Sequence, residues 1–152
     1  MKIWIDADAC PQGVKAAVFK AAMRLQIPVT MVANSHMSYP HSSLIDFVLV
    51  EAGPDVADKY IADHLNAGDL VITADIPLAS IIVERNAVGI NPRGEIYTEE
   101  NVCEHLSMRD FMKDLRDSGL VQGGPPPFSP KDVQNFTNAL ERTLTKMRKT
   151  SK

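Results

Sequence analysis

Apolar residues along this chain fall into short runs cut off by turn residues, and between the runs they recur at helical spacing. Residues 2–6 form an apolar run with β-branched and aromatic members that stops at Asp6-Ala-Asp-Ala-Cys-Pro11, a strand halting at a helix start. Pro11 suits a first helical turn, and Val14, Ala17, Val18, Ala21, Ala22 and Leu25 follow with the period of a helix. Residues 28–33 read as a second strand and 47–51 as a third, with the polar stretch 34–43 between them. Behind Gly53-Pro54 a helix is predicted over 55–67, with Gly68 as its stop. A fourth strand spans 69–74 and a helix 78–85. A fifth strand, 87–90, ends at Asn91-Pro-Arg-Gly94.

Strands alternating with helices at these intervals require crossover connections, so the fold class is α/β: three layers, with a mainly parallel central sheet of five strands flanked by helices. Residues 98–118 add a helix carrying Val102, Leu106, Phe111, Met112 and Leu115, with Gly119 just past its end. The string Gly123-Gly-Pro-Pro-Pro-Phe128 is too rich in breakers for regular structure and reads as an extended connector. Ser129-Pro-Lys-Asp132 then opens a final helix with Val133, Phe136, Leu140, Leu144 and Met147 on one side. The expected organisation is an α/β domain over 1–122, followed by connector and C-terminal helix over 123–152 packing on that same domain.

The 152 residues, 45% hydrophobic and 23% charged, suit one globular domain and exclude disordered and coiled-coil classes. Cys10 and Cys103, far apart, cannot make a secreted disulfide scaffold, so a reducing cytoplasm is expected. Carboxylates at Asp6 and Asp8 interrupt any signal peptide, and no apolar run nears the roughly 18 residues of a membrane span. Five cations and no acids follow Glu141, which leaves the preceding chain at −8 against a total of −3.

In an open parallel sheet the residues that follow the strands gather along one edge, where such folds bind ligands. That edge receives Asp6 and Asp8 from strand one, Glu51 from strand three and Asp75 from strand four, with Asp55 and Asp58 expected in the first turn of the helix beginning there. At about 100° per residue, Asp58 falls beside the apolar arc of its helix and Asp63 on the opposite side. An uncompensated acid at a buried margin costs several kcal/mol. Lys59 and Lys15 are poorly placed to neutralise Asp6, Asp8, Asp58 and Asp75 together, so a hard divalent cation, Mg²⁺ or Mn²⁺, is implied. Taken singly, Asp8 and Asp75 also suit helix caps.

At these residues the sequence resembles the PIN-like nuclease superfamily: Ile5-Asp-Ala-Asp8, Asp55-Val-Ala-Asp58 and Val71-Ile-Thr-Ala-Asp75 carry the likeness. More closely, Asp6-Ala-Asp-Ala-Cys-Pro11, Thr73-Ala-Asp-Ile-Pro-Leu-Ala79, Asn91-Pro-Arg-Gly94 and Gly123-Gly-Pro-Pro-Pro-Phe128 resemble the YaiI/YqxD family of small bacterial proteins over nearly the whole chain. The resemblance implies a PIN-like fold, metal binding at Asp6, Asp58 and Asp75, and Asp8 or Asp55 as a further ligand or supporting acid. It also implies metal-dependent phosphodiester hydrolysis carried by Asp6, Asp8, Asp58 and Asp75, with nucleic acid, RNA favoured, as substrate. Lys15, Arg93 and Lys131 are the expected phosphate contacts, and His36, in the longest loop, a further substrate contact.

Two rival readings stay open. Asp6-Ala-Asp8 also suits an aspartate-nucleophile phosphatase of the haloacid dehalogenase type, although Cys10 stands where that class has threonine or valine. The second rival is a non-catalytic PIN-like module that binds RNA or protein, yet Trp4 and the few aromatics suggest no stacking platform. Cys10, at a helix start, is read as a small buried residue before a reactive thiol. Homo-oligomerisation is left open.

Overall fold

The computed structural model describes residues 1–53, 55–119 and 127–150, so connector residues 123–126 lie outside the described residues. Strand β1 is Ile3–Asp6, followed by a 3-10 turn at Ala7–Ala9 and helix α1, Gln12–Leu25. Then come β2 (Val29–Ala33), β3 (Ile45–Leu49), α2 (Val56–His64), β4 (Leu70–Ile72), α3 (Ile76–Glu84), β5 (Val88–Ile90), α4 (Glu99–Asp117) and α5 (Pro130–Thr150). The sheet is parallel throughout, in the order β3-β2-β1-β4-β5.

Alternation within the strands decides which helix covers which face. Ile3, Ile5, Val29, Met31, Leu70 and Ile72 join Val14 and Val18 of α1 and Phe136, Leu140 and Leu144 of α5 in one core. Trp4, Val32 and Val71 point the other way, onto Ile61 of α2 and Leu78 and Ile82 of α3. Being covered on both faces, β1 is buried at all four positions, the signature of a central parallel strand. Helix α4 packs outside the three layers, with Val102 against Ala79 and Tyr97.

Sequence patterning locates every strand and α-helix among the described residues, misses the 3-10 turn at Ala7–Ala9 and misplaces some ends. Strand β3 begins at Ile45, two residues before the expected start, because Ile45 already pairs with Val29; as an edge strand its pattern is broken by exposed Asp46 and Leu49. Helix α2 stops at His64, three residues early, because Leu65 turns extended and buries its side chain. Pro11 occupies the cap position before α1. An aspartate overlooked in the sequence fastens β4 to β1. The buried carboxylate of Asp69 accepts from the Lys2 backbone N–H (3.1 Å), Trp4 Nε1 (3.1 Å) and the Asn66 backbone N–H (2.9 Å).

The start of α5 is fixed by reciprocal capping. The Asp132 carboxylate accepts from the Ser129 backbone N–H at 2.9 Å, and Asp132 N–H donates to Ser129 Oγ. Arg93 reaches across to Asp132 at 3.1 Å, and Gly94 lies so close to α5 that a Cβ there would stand 2.7 Å from the Asn135 carbonyl oxygen. Gly94 also holds φ +99°, where a side chain is strained. Gly94→Ala is therefore expected to destabilise the fold by about 2–4 kcal/mol, combining backbone strain with overpacking against main chain. A urea midpoint equal to that of the parent would overturn this account of the contact. No helix among the described residues is long and apolar enough to cross a membrane.

Candidate functional site

Strands β2 and β3 extend the sheet on one side of β1 and β4 and β5 on the other, so the connections part company between β1 and β4. Outside the carboxyl ends of those two strands lies the crevice where open α/β sheets take ligands. Asp6 is the last residue of β1 and is buried; its Oδ2 accepts from Thr73 Oγ1 at 3.2 Å, just past β4. The Thr73 oxygen in turn accepts from the Asp75 N–H at 3.0 Å, so one hydroxyl ties both strand ends into a fixed spacing. Asp75 caps α3, accepting from the Leu78 N–H at 2.8 Å.

Asp58 sits in the first turn of α2 and is partly buried, as its helical phase predicts. Asp55, expected in that turn, instead precedes the helix with φ 64° and makes no capping bond of its own. This left-handed conformation, which aspartate tolerates better than most residues, turns its carboxylate to the crevice. Carboxylate oxygens of Asp55, Asp58 and Asp75 all lie within 4.8 Å of one another. Asp8, carried outward by the 3-10 turn, caps no helix; it accepts from the Asn34 N–H at 2.8 Å. Asp6, Asp8, Glu51, Asp55 and Asp58 line a cleft of about 160 Å³. A larger groove, about 740 Å³, runs along α5 and has Glu141 as its single acid.

This concentration of acids alters their chemistry. Burial, then repulsion from Asp75 and Asp8, raises the Asp6 carboxyl above the ordinary range against the lowering effect of its Thr73 bond. Asp58 is pushed up to about 8, first by burial and then by its hydrogen-bonded contacts and charge repulsion with Asp75 and Asp6. None of the ion pairs among the described residues involves these acids. A shared proton or a bound cation would each relieve this repulsion. The cluster's donor set, carboxylate oxygen throughout, suits a hard divalent ion such as Mg²⁺ or Mn²⁺.

The other candidates are scattered more widely. Lys15 is buried, with Nζ 3.4 Å from Met37 Sδ. His36 stacks on Phe47, as does Tyr39, giving the ring cluster that the sequence did not suggest. Arg93 pairs with Asp132 and lies over the Phe128 ring, so its described contacts fasten α5. Lys131 is exposed in the first turn of α5. Burial pushes the Cys10 thiol up to about 12, which keeps it protonated and unreactive. Thr73 and Asn34, which hold Asp6 and Asp8, went unnoticed in the sequence, although a hydroxyl two residues before a strand-end aspartate is a readable signal.

Comparison with known proteins agrees with the likeness noted from the motifs. A family profile described as "Uncharacterized BCR, YaiI/YqxD family" matches residues 4–146. A UPF0178 protein of Maridesulfovibrio salexigens is 59% identical over 146 residues, covering 96% of this chain and 97% of that one. Its counterpart in Trichlorobacter lovleyi is 57% identical over 152 residues, covering 100% and 99%. That of Hydrogenovibrio crunogenus is 54% identical over 146 residues, covering 96% and 97%. No solved structure matches the chain. With the profile spanning nearly all of it and relatives matched end to end, the chain belongs to the YaiI/YqxD family.

Proposed function

We propose that this protein is a divalent-metal-dependent nuclease of PIN-like type that hydrolyses phosphodiester bonds, RNA in preference. The observation that carries the reading is the meeting of Asp6, Asp55, Asp58 and Asp75 at the β1/β4 crevice with no ion-pairing cation among the described residues. Mg²⁺ or Mn²⁺, held by Asp55, Asp58 and Asp75 with Asp6 and Asp8 in support, would supply polarisation of the phosphoryl oxygen and a more acidic water. The protein's own part is positioning. Thr73 fixes Asp6 relative to Asp75, and the Asn34 N–H fixes Asp8. Such preorganisation removes the need for acids to reorient as charge develops. Two free cysteines, one buried and one exposed, support a reducing cytoplasm as the place of work.

The test is direct. With Mn²⁺ present, the protein is expected to cut an end-labelled single-stranded RNA, and chelation to stop it. RNA left intact at stoichiometric protein and saturating Mn²⁺ would overturn catalysis and favour a binding module.

A further inference from the structure

Lys15 is the one buried basic residue among the described residues, 6% exposed, and none of the ion pairs there includes it. Its ammonium has a single hydrogen-bond partner, the Met37 thioether at 3.4 Å. An ammonium offers three donors and a thioether is a weak acceptor, so this cation is buried without an anion to satisfy it. Hidden charges of this kind are usually found paired.

The segment that covers Lys15 carries a second, independent feature. Between β2 and β3 the chain runs through Asn34, His36, Met37 and Tyr39 with no helix. The Tyr39 ring lies nearly parallel to Phe47 of β3, with centroids 5.5 Å apart at 9°, and His36 is stacked on Phe47 at 6.1 Å and 18°. Tyr39 remains 38% exposed. The same loop begins at Asn34, whose N–H holds Asp8 and which lines the acid cleft. Met37, which meets the Lys15 ammonium, lies three residues along that loop from Asn34. The loop that opens at the acid cleft thus meets a buried cation through Met37 and carries Tyr39 of the exposed ring stack.

We propose that Lys15 and the Tyr39–Phe47 stack form a nucleotide subsite beside the acid crevice, taking a backbone phosphate and the adjoining base of a single-stranded nucleic acid. The inference rests on the phosphodiesterase reading of that crevice and names its substrate class. A phosphate gives the Lys15 ammonium the anion it lacks, and a base gives the open face of Tyr39 its stacking partner. A duplex keeps its bases stacked on each other and cannot cover Tyr39, which is why the strand must be single. Met37, half-buried and unbranched, is the group that gives way as phosphate approaches.

Fluorescence anisotropy of a short labelled phosphorothioate oligoribonucleotide, in Mn²⁺ buffer across a salt series, tests this. Lys15→Met, which keeps the length and apolar stem, is expected to weaken binding roughly tenfold and to lower the salt slope by about one. Tyr39→Ala should weaken it roughly fivefold to a hundredfold, while Tyr39→Phe binds like the parent. Both losses should come with an unreduced melting temperature and an intact response to Mn²⁺. Parent protein that fails to bind the strand, variants that bind it unchanged, or a duplex that competes equally well would each overturn the subsite. A parent that binds through Lys15 and Tyr39 yet never cuts natural RNA leaves the subsite standing and removes the nuclease reading. The reverse pattern, cutting with binding indifferent to both residues, removes the subsite alone.

Discussion

Stripped of divalent ions, the protein is expected to melt at progressively lower temperature as the pH rises from about 5 to about 9, and Mn²⁺ to reverse the trend. The Asp58 carboxyl is pushed up to about 8 by burial and by its neighbours Asp75 and Asp6, whereas in the unfolded chain it titrates near 3.9. Between those values the folded protein holds a proton that the unfolded chain has lost. The associated stability is fully present below about pH 3.9, declines across the window and is gone above about pH 8. Full linkage would amount to about 6 kcal/mol, but Asp58 is only partly buried and solvent screening reduces this to about 2 kcal/mol. For a chain of this size that is a fall of roughly 4–8 °C in Tm. Mn²⁺ at about a hundred times its dissociation constant returns about 2.7 kcal/mol, a rise of roughly 5–10 °C that should grow with pH as the proton is displaced. Asp58→Asn should flatten the pH profile and abolish most of the Mn²⁺ response together. Differential scanning calorimetry that found the parent insensitive to both pH and Mn²⁺ would refute the crowding of acids on which the site depends.

The places where sequence patterning succeeded and failed have a physical basis. Asp6, Asp58 and Asp75 were legible because a parallel sheet collects strand ends at one edge and helical phase fixes which side of α2 an acid faces. The role of Asp55 was not, since nothing in the residue pattern signals a φ of 64° ahead of the helix. Asp8 looked like a cap because Pro11 follows it; the 3-10 turn between them carries the side chain to Asn34, a partner 26 residues away. The ring stack escaped notice for a similar reason. Its members stand at positions 36, 39 and 47, two in an irregular loop and one on an edge strand, and no period relates them. Asp69 reads as the first residue of the fourth strand, and its three bonds to Lys2, Trp4 and Asn66 become visible only when β1 and β4 are adjacent.

Asp75 separates the two explanations that apply to any strand-end aspartate, since it both caps α3 and belongs to the acid cluster. Replacement by alanine removes cap and charge; replacement by asparagine keeps an oxygen for the Leu78 N–H and removes only the charge. Asp75→Ala is therefore expected to cost about 1 kcal/mol in metal-free denaturation, whereas Asp75→Asn should stay within a few tenths or gain stability above about pH 8, where repulsion with Asp58 is relieved. In Mn²⁺ the two should behave alike: each should lose RNA cleavage on the order of a thousandfold, because an amide is a poorer and uncharged ligand for a hard cation. The informative result is the asparagine variant alone. A protein as stable as its parent that no longer cuts assigns Asp75 a role in charge, and the capping bond to Leu78 then serves to hold that charge in register with Asp6 through Thr73. Cleavage preserved in Asp75→Asn would reduce this residue to a helix cap and overturn its role as a ligand of the ion.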